Sequence, residues 1–376
     1  MNFEELIKKE LDGILAKIDK NMLLYKDKTP HINGNLKYSE NLTEDGNWTG
    51  SFWFGMVVLA VIITQNEHKY KPYLDSFKEF YFKRVRNGYK DHELGFLYQL
   101  YAVDAYRVTC DMDYLDMADM AARCLYSRYN PNGGFIRAWS MLGFPQREGK
   151  TIIDCMMNLP LLFSVAKSGG DARYYEAAKN HAFAALNNIR EDGTVYHTFD
   201  FDVLTGKPIK GENEGGYSDE SCWSRGLAWA VYGFYLAWMH TKEQAFLDAS
   251  IKTADCFMAN VKKGEMPLWD FRLDDENDKN IDTSAAAIAA CGMYQLAEAV
   301  GENKYREFAD DMLYTLITKE SHVFDDDSEA LLGNGMCGSW IDGKRRTNQW
   351  ATIWGDYFYM EALTLRSGLK VRMWDM

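Results

Sequence analysis

The 376-residue sequence predicts an all-α protein, an (α/α)6 barrel in which six helical hairpins close into a toroid. Apolar residues recur with helical period from end to end, and the helical stretches alternate between a kind with one charged face and a kind with none. The starts of the second kind are unevenly spaced, with long loops before 152, 223 and 354. That spacing disfavours a helical solenoid, the other way to stack hairpins, because solenoids repeat at a near-constant period.

Residues 2–25 open the chain as an amphipathic outer helix; they lack the long apolar run of a signal peptide. Residues 51–64 are apolar almost all round and read as the first inner helix. Residues 69–85 return to one wet face, with Leu74, Phe77, Phe80 and Tyr81 set against Lys78, Lys83 and Arg84. The alternation continues with 95–110 inside, 113–128 outside, 152–168 inside and 171–189 outside. Residues 223–240 are inner, since Leu227-Ala-Trp-Ala-Val-Tyr-Gly-Phe offers no polar stripe; 243–261 follow outside. The last hairpins pair 283–299, with its run Ala285-Ala-Ala-Ile-Ala-Ala-Cys, and 354–366 as inner helices with 302–319 as an outer one. One domain over residues 1–376 accounts for this pattern.

The composition narrows the function. Hydrophobic residues make up 47% and charged residues 26%, enough for a large core and a wet surface. A net charge of −13 with no basic cluster excludes nucleic acid and anionic membranes as partners. The longest apolar run, Met56 to Ile63, falls well short of the ~20 residues that span a bilayer. Seven Cys, an odd number with no C-x-x-C pair, fit reduced thiols in a cytoplasmic protein. No metal or cofactor is expected: the seven His are scattered, no H-E-x-x-H occurs, and Gly211-Glu-Asn-Glu-Gly-Gly lacks the Lys of a phosphate loop. Aromatic residues reach 14%, which suits rings stacking on sugar faces as well as core filling. The expected partner is a small oligosaccharide, and the chain is expected to be a monomer or a weak homo-oligomer.

If the inner helices run parallel, their N-termini share one rim, and the residues there are unusual. They include Asn47-Trp48-Thr49-Gly50, Asp91-His92-Glu93-Leu94-Gly95, Ile153-Asp154-Cys155, Cys222-Trp223-Ser224-Arg225-Gly226, Ile281-Asp282-Thr283-Ser284 and Ile353-Trp354-Gly355-Asp356-Tyr357. Asp at a helix start is an ordinary N-cap, the favoured reading for Asp282 and an open one for Asp356. Asp154 differs, because Ile152, Ile153, Cys155, Met156 and Met157 surround it and a carboxylate there is costly unless paired or used. Asp154 and Glu93, on neighbouring inner helices, form the carboxyl pair that glycoside hydrolysis needs.

Several segments together resemble the unsaturated glucuronyl hydrolases, glycoside hydrolase family 88. They are Asp91-His-Glu-Leu-Gly-Phe-Leu-Tyr, Ile152-Ile-Asp-Cys-Met-Met-Asn-Leu-Pro, Tyr196-His-Thr-Phe, Ser218-Asp-Glu-Ser-Cys-Trp-Ser-Arg-Gly-Leu-Ala-Trp, Trp269-Asp-Phe, Asp282-Thr-Ser-Ala and Ile353-Trp-Gly-Asp-Tyr. The resemblance implies the same six-hairpin fold. It also implies release of a 4,5-unsaturated glucuronic acid from the non-reducing end of a lyase-generated, glycosaminoglycan-type oligosaccharide, by hydration of the vinyl ether. It makes Asp154 the acid and base and Arg225 the partner of the substrate carboxylate. Trp48, Trp139, Trp223 and Trp229 would wall the pocket, with His92 and His197 beside the sugar. Glu93 stands where the family usually has Asp, which moves the carboxyl out by about 1.5 Å, one C–C bond. Glu214-Gly215-Gly216 replaces a segment that in relatives helps to hold a sulfate, and a Glu there repels one. Ser339 and Lys344 keep the S-x-x-x-x-K spacing of members acting on sulfated disaccharides, and Arg137 offers a positive charge near Trp139. Three rival readings stay open here: an unsaturated rhamnogalacturonyl hydrolase, an inverting glycosidase with Glu93 as acid and Asp154 as base, and a saccharide-binding or epimerising barrel.

Overall fold

A computed structural model describes residues 2–88, 90–139, 147–274, 277–341, 344–369 and 373–375, with side chains omitted for 338–347. The first hairpin pairs α1 (Phe3–Met22) with α2 (Gly50–Thr64). α1 starts in a capping box: Asn2 Oδ1 accepts from the Glu5 N–H at 2.9 Å, and Glu5 accepts from the Asn2 N–H at 3.0 Å. The predicted outer helix at 69–85 is two, α3 (Glu67–Ser76) and α4 (Lys78–Asn87). The chain leaves helical geometry at Phe77 (φ −100°, ψ 2°), whose ring is buried against Phe54 at 4.7 Å.

The second inner stretch is also segmented. α5 (Leu94–Tyr98) passes through a π-helical turn, Gln99–Val103, into α6 (Asp104–Thr109). α7 (Met112–Tyr126) is the next outer helix, capped by Asp111. The third inner stretch begins as a 3-10 turn, Ile153–Met157, and continues after Asn158 as α8 (Leu159–Lys167); α9 (Ala172–Ala185) packs outside it. The remaining hairpins are α10 (Ser224–Thr241) with α11 (Gln244–Asn260), α12 (Thr283–Val300) with α13 (Asn303–Thr315), and finally α14 (Ile353–Arg366).

α14 closes the ring by packing on α2, with the Phe52 and Phe358 rings 5.7 Å apart. Two glycines set how closely neighbours approach. A Cβ on Gly95 would lie 2.3 Å from the Asn158 backbone, and one on Gly233 would lie 2.4 Å from Met156 Cβ. One large apolar core runs from Ile7 to Trp374. No described helix is long and apolar enough to cross a membrane.

Short strands decorate the rim that carries the inner-helix N-termini. β1 (Ile32–Asn33) pairs with β8 (Lys344–Thr352), which pairs with β7 (Gly335–Ile341). β2 (Tyr129–Asn130) pairs with β3 (Phe135–Ile136). β4 (Lys150–Ile152), β5 (Thr198–Phe201) and β6 (Pro208–Glu212) form an antiparallel sheet that leads directly into the turn bearing Asp154.

The lower end of the ring holds Trp374, which no periodicity predicts. Its ring is fully buried, stacks on Phe358 with centroids 5.9 Å apart, and donates Nε1–H to Glu361 at 3.2 Å.

Candidate active site

Strand register brings Asp154 and His197 together. Ile152 pairs with Thr198, and the ladder continues with the Ile153 N–H donating to the His197 carbonyl at 2.9 Å. Asp154 Oδ1 thereby lies 3.6 Å from His197 Nε2. Asp154 caps no helix, because Ile152 occupies the N-cap position of its turn. Its buried Oδ1 has no hydrogen-bond partner among the described residues. Burial pushes its carboxyl up to about 7, against the pull of the nearby Arg225 cation.

Glu93 sits at the N-cap position of α5, but its side chain makes no capping bond. Its Oε1 lies 3.4 Å from His92 Nε2. Burial, with Asp91 and Asp154 as like charges nearby, holds the Glu93 carboxyl well above the usual range. Asp91, placed at the rim by the sequence but given no role there, accepts the Glu93 N–H at 2.9 Å. Burial keeps His92 well below the usual histidine range, so its imidazole is neutral.

Arg128 organises the neighbouring wall. Its buried guanidinium donates to the carbonyls of Lys90 (2.7 Å), Arg137 (2.9 Å), Ala138 (3.1 Å) and Trp139 (2.7 Å), while the His92 N–H donates to Ala138 O at 3.0 Å. These bonds stand Trp139 between the two imidazoles, 6.4 Å from His92 and 6.1 Å from His197.

Trp223 packs on His197 at 4.8 Å and under the Arg225 guanidinium at 4.5 Å. Arg225 Nη1 donates to Asp282 at 2.6 Å and to the Met336 carbonyl at 2.8 Å. Asp282 does cap α12, accepting the Ser284 N–H at 3.1 Å, and with its other oxygen it holds Arg225. The described hydrogen bonds of Arg225 all leave from Nη1, so the rest of the fork is not engaged by the described protein. Beyond it Trp354 lies 5.3 Å from Arg225 and 5.0 Å from Trp48. Phe96 joins Trp48 (5.8 Å) to Trp229 (5.4 Å). The indole N–H groups of Trp223, Trp229 and Trp354 have no partner among the described residues. His31, also unforeseen, donates to or accepts from Thr49 at 2.7 Å and packs edge-on to Trp48.

Other expectations change. Arg137 is not a free positive charge, since its guanidinium lies 3.7 Å from Glu148. Glu214 is not a lone negative one: it accepts from Lys150 Nζ at 2.6 Å. Lys150 also meets Glu212 at 2.9 Å. Gly215 lies flush with the site, where a Cβ would come within 2.8 Å of Trp223 and 2.9 Å of His197. Asp356 does not cap α14; it accepts the N–H groups of Leu331 (3.0 Å) and Leu332 (2.9 Å) and so anchors that loop. The side chains of Ser339 and Lys344, on the β7–β8 hairpin, lie outside the described residues.

The arrangement offers a protonatable, buried carboxyl next to a cation fork, two imidazoles and a wall of indoles, which suits acid catalysis on an anionic sugar. Known proteins agree in sequence and in shape. The unsaturated chondroitin disaccharide hydrolase of Streptococcus pneumoniae is 35% identical over 378 residues, covering 96% of this chain and 91% of that protein. The unsaturated glucuronyl hydrolase of Bacillus sp. strain GL1 is 34% identical over 358 residues, covering 93% of both. The crystal structure of the unsaturated glucuronyl hydrolase from Bacillus sp. GL1 superposes with a TM-score of 0.89 at 31% identity, covering 100% of this chain and 99% of that one. The enzyme from Streptococcus agalactiae gives 0.90 at 31% identity, covering 100% and 94%. The model of Glycosyl Hydrolase Family 88 matches residues 17–365, and the chain belongs to that family.

Proposed function

We propose that this glycosidase releases a 4,5-unsaturated uronate from the non-reducing end of a small oligosaccharide, with Asp154 as both acid and base. The observation that carries the reading is a buried Asp154 carboxyl whose Oδ1 has no hydrogen-bond partner among the described residues and lies 3.6 Å from His197 Nε2, with burial pushing the group up to about 7. Its proton goes to C4 of the vinyl ether. Water adds at C5 and gives its proton to the Asp154 carboxylate. The hemiketal so formed at C5 opens by breaking the bond from C5 to the ring oxygen. The C1 hemiacetal that remains then expels the second sugar, leaving an aldehyde at C1.

The unengaged part of the Arg225 fork pairs with the substrate carboxylate, and Asp282 fixes the fork in place. Trp139 and Trp223 bound the ring to be protonated, and the neutral His92 with His197 hydrogen-bonds its hydroxyls. Glycosaminoglycan-type disaccharides are the substrates this reading favours. The reaction takes place in the cytoplasm, in one domain spanning the chain, monomeric or weakly self-associated; buried thiols at Cys155, Cys222 and Cys291 suit a reducing compartment.

The test is to incubate the protein with unsaturated chondroitin, hyaluronan, heparin and rhamnogalacturonan disaccharides and follow the ultraviolet absorbance of the conjugated double bond. Loss of absorbance on a glycosaminoglycan product is expected. Unchanged absorbance, with cleavage of a saturated glycoside instead, overturns the reading. The pH dependence is a second check. Since C4 protonation needs the acid form of Asp154, log(kcat/KM) should be flat below about 7 and fall with unit slope above it.

Glu93 is the second carboxyl of this proposal. Burial and the like charges of Asp91 and Asp154 raise its affinity for a proton, and its role in this reading is to orient the sugar hydroxyls. The longer arm is taken as part of the site, which the 3.4 Å approach of Oε1 to His92 Nε2 supports. Glu93→Asp is therefore expected to lower kcat by about 10- to 100-fold. A gain in kcat would show that the site is not built around Glu.

A further inference from the structure

Asn158 occupies the N-cap position of α8, yet its side chain does not cap that helix. Asn is among the best capping residues, so this is an uncommon use of one. The fully buried carboxamide is committed elsewhere. Oδ1 accepts the N–H of Phe96, in the first turn of α5, at 2.6 Å. Nδ2 donates to the backbone carbonyl of Asp154 at 3.2 Å. The amide lies near enough to the Glu93 carboxyl to oppose, weakly, the rise that burial causes there. Gly95 lies flush against the Asn158 backbone, leaving no room for a side chain between the two segments.

We propose that Asn158 is a positioning residue that ties the turn carrying Asp154 to the helix start carrying Glu93, and thereby sets the spacing of the two carboxyls and how they share protons. This rests on the reading of Asp154 as the acid. A carboxamide has two donors and one acceptor oxygen, and here it spans both carboxyl-bearing segments at once. No other described side chain hydrogen-bonds to the backbone of both. A slackened link lets the carboxyls drift by an ångström or so, a displacement to which proton transfer is sensitive.

Asn158→Asp tests this. It keeps the shape and the acceptor for the Phe96 N–H, withdraws the amide donors, and adds a third ionisable neighbour. The expected result is a kcat lowered by about 10- to 100-fold with KM within about threefold. The alkaline limb of the rate profile should also move to higher pH, because a like charge nearby raises a carboxyl's affinity for its proton. Asn158→Ser, smaller and still able to accept from Phe96, serves if the Asp variant does not fold, and should lower kcat with the melting temperature largely kept. A melting temperature that drops while kcat and the alkaline limb stay at wild-type values would mean that Asn158 only packs, and would overturn the proposal. Asp154→Asn is run in parallel. If it is inactive while the Asn158 variants keep kcat and limb, the coupling alone fails; if it retains turnover, the assignment of the acid fails and takes the coupling with it.

Discussion

Asp154→Asn is expected to lower turnover by about 10³- to 10⁴-fold while leaving disaccharide binding measurable, because one side chain supplies the proton to C4 and takes one from water. The amide has the same shape and keeps the pocket, so KM or a directly measured Kd should change far less than kcat. The same variant should be more stable than the wild type above neutral pH. Asp154 is raised from 3.8 to about 7 by burial, so the folded state holds its proton longer than the unfolded chain does. Such a group contributes full stability below about 4 and loses it as the pH rises through about 7. The loss amounts to up to about 4 kcal/mol, from 1.36 kcal/mol per pH unit over that interval. The Asn variant has no such loss. Its melting temperature, compared with wild type at pH 5 and pH 8, should show the larger advantage at pH 8. Equal differences at the two pH values, or near-normal kcat, would show that Asp154 is neither the acid nor a strained group.

The fold was legible because burial leaves a plain mark on helices. Residues such as Leu227 to Phe234 carry no polar stripe, and α10 is buried along that run. Where the reading failed, local propensity yielded to packing. Residues 69–85 look continuous, but burying Phe77 against Phe54 breaks the helix there. In the site, Asp154 stood out because a carboxylate amid Ile, Cys and Met is anomalous in any one-dimensional reading. Its partners were harder to see. That His197 lies beside Asp154 depends on a strand register between segments more than forty residues apart. Asp282 read as a helix cap and Asn158 stood only inside a longer segment of family resemblance, and neither identity gave a sign of the bonds across to Arg225 and Phe96. Arg128 gave less still, since its donors go to carbonyls, which every residue has.

Trp374 was the least legible residue, a single indole in the tail beyond the last predicted helix, and its replacement should have the largest effect on stability. Trp374→Ala removes a fully buried ring stacked on Phe358 and edge-on to Phe96 and Tyr357, at 6.2 Å and 5.9 Å. It also removes the Nε1–H donated to Glu361, and the residue's φ of +69° marks a backbone held in place by its contacts. Large-to-small changes of this kind cost about 3–5 kcal/mol, to be read from the denaturant midpoint. The cost should itself depend on pH. Glu361 and Asp104, both raised to about 7 by burial, lie around this ring, and opening the barrel floor lets water reach them. Their proton affinities then fall towards ordinary values, so the variant loses less stability than the wild type as the pH rises through 7. The gap between the two proteins should therefore be wider at pH 5 than at pH 8. Phe96 links the two ends, since its ring touches Trp374 below and Trp48 above while its N–H is held by Asn158. A fall in kcat in the folded variant, about 10-fold if the floor shifts by a fraction of an ångström, would follow from that contact. An unchanged midpoint would mean that the tail merely rests against the barrel and does not brace it.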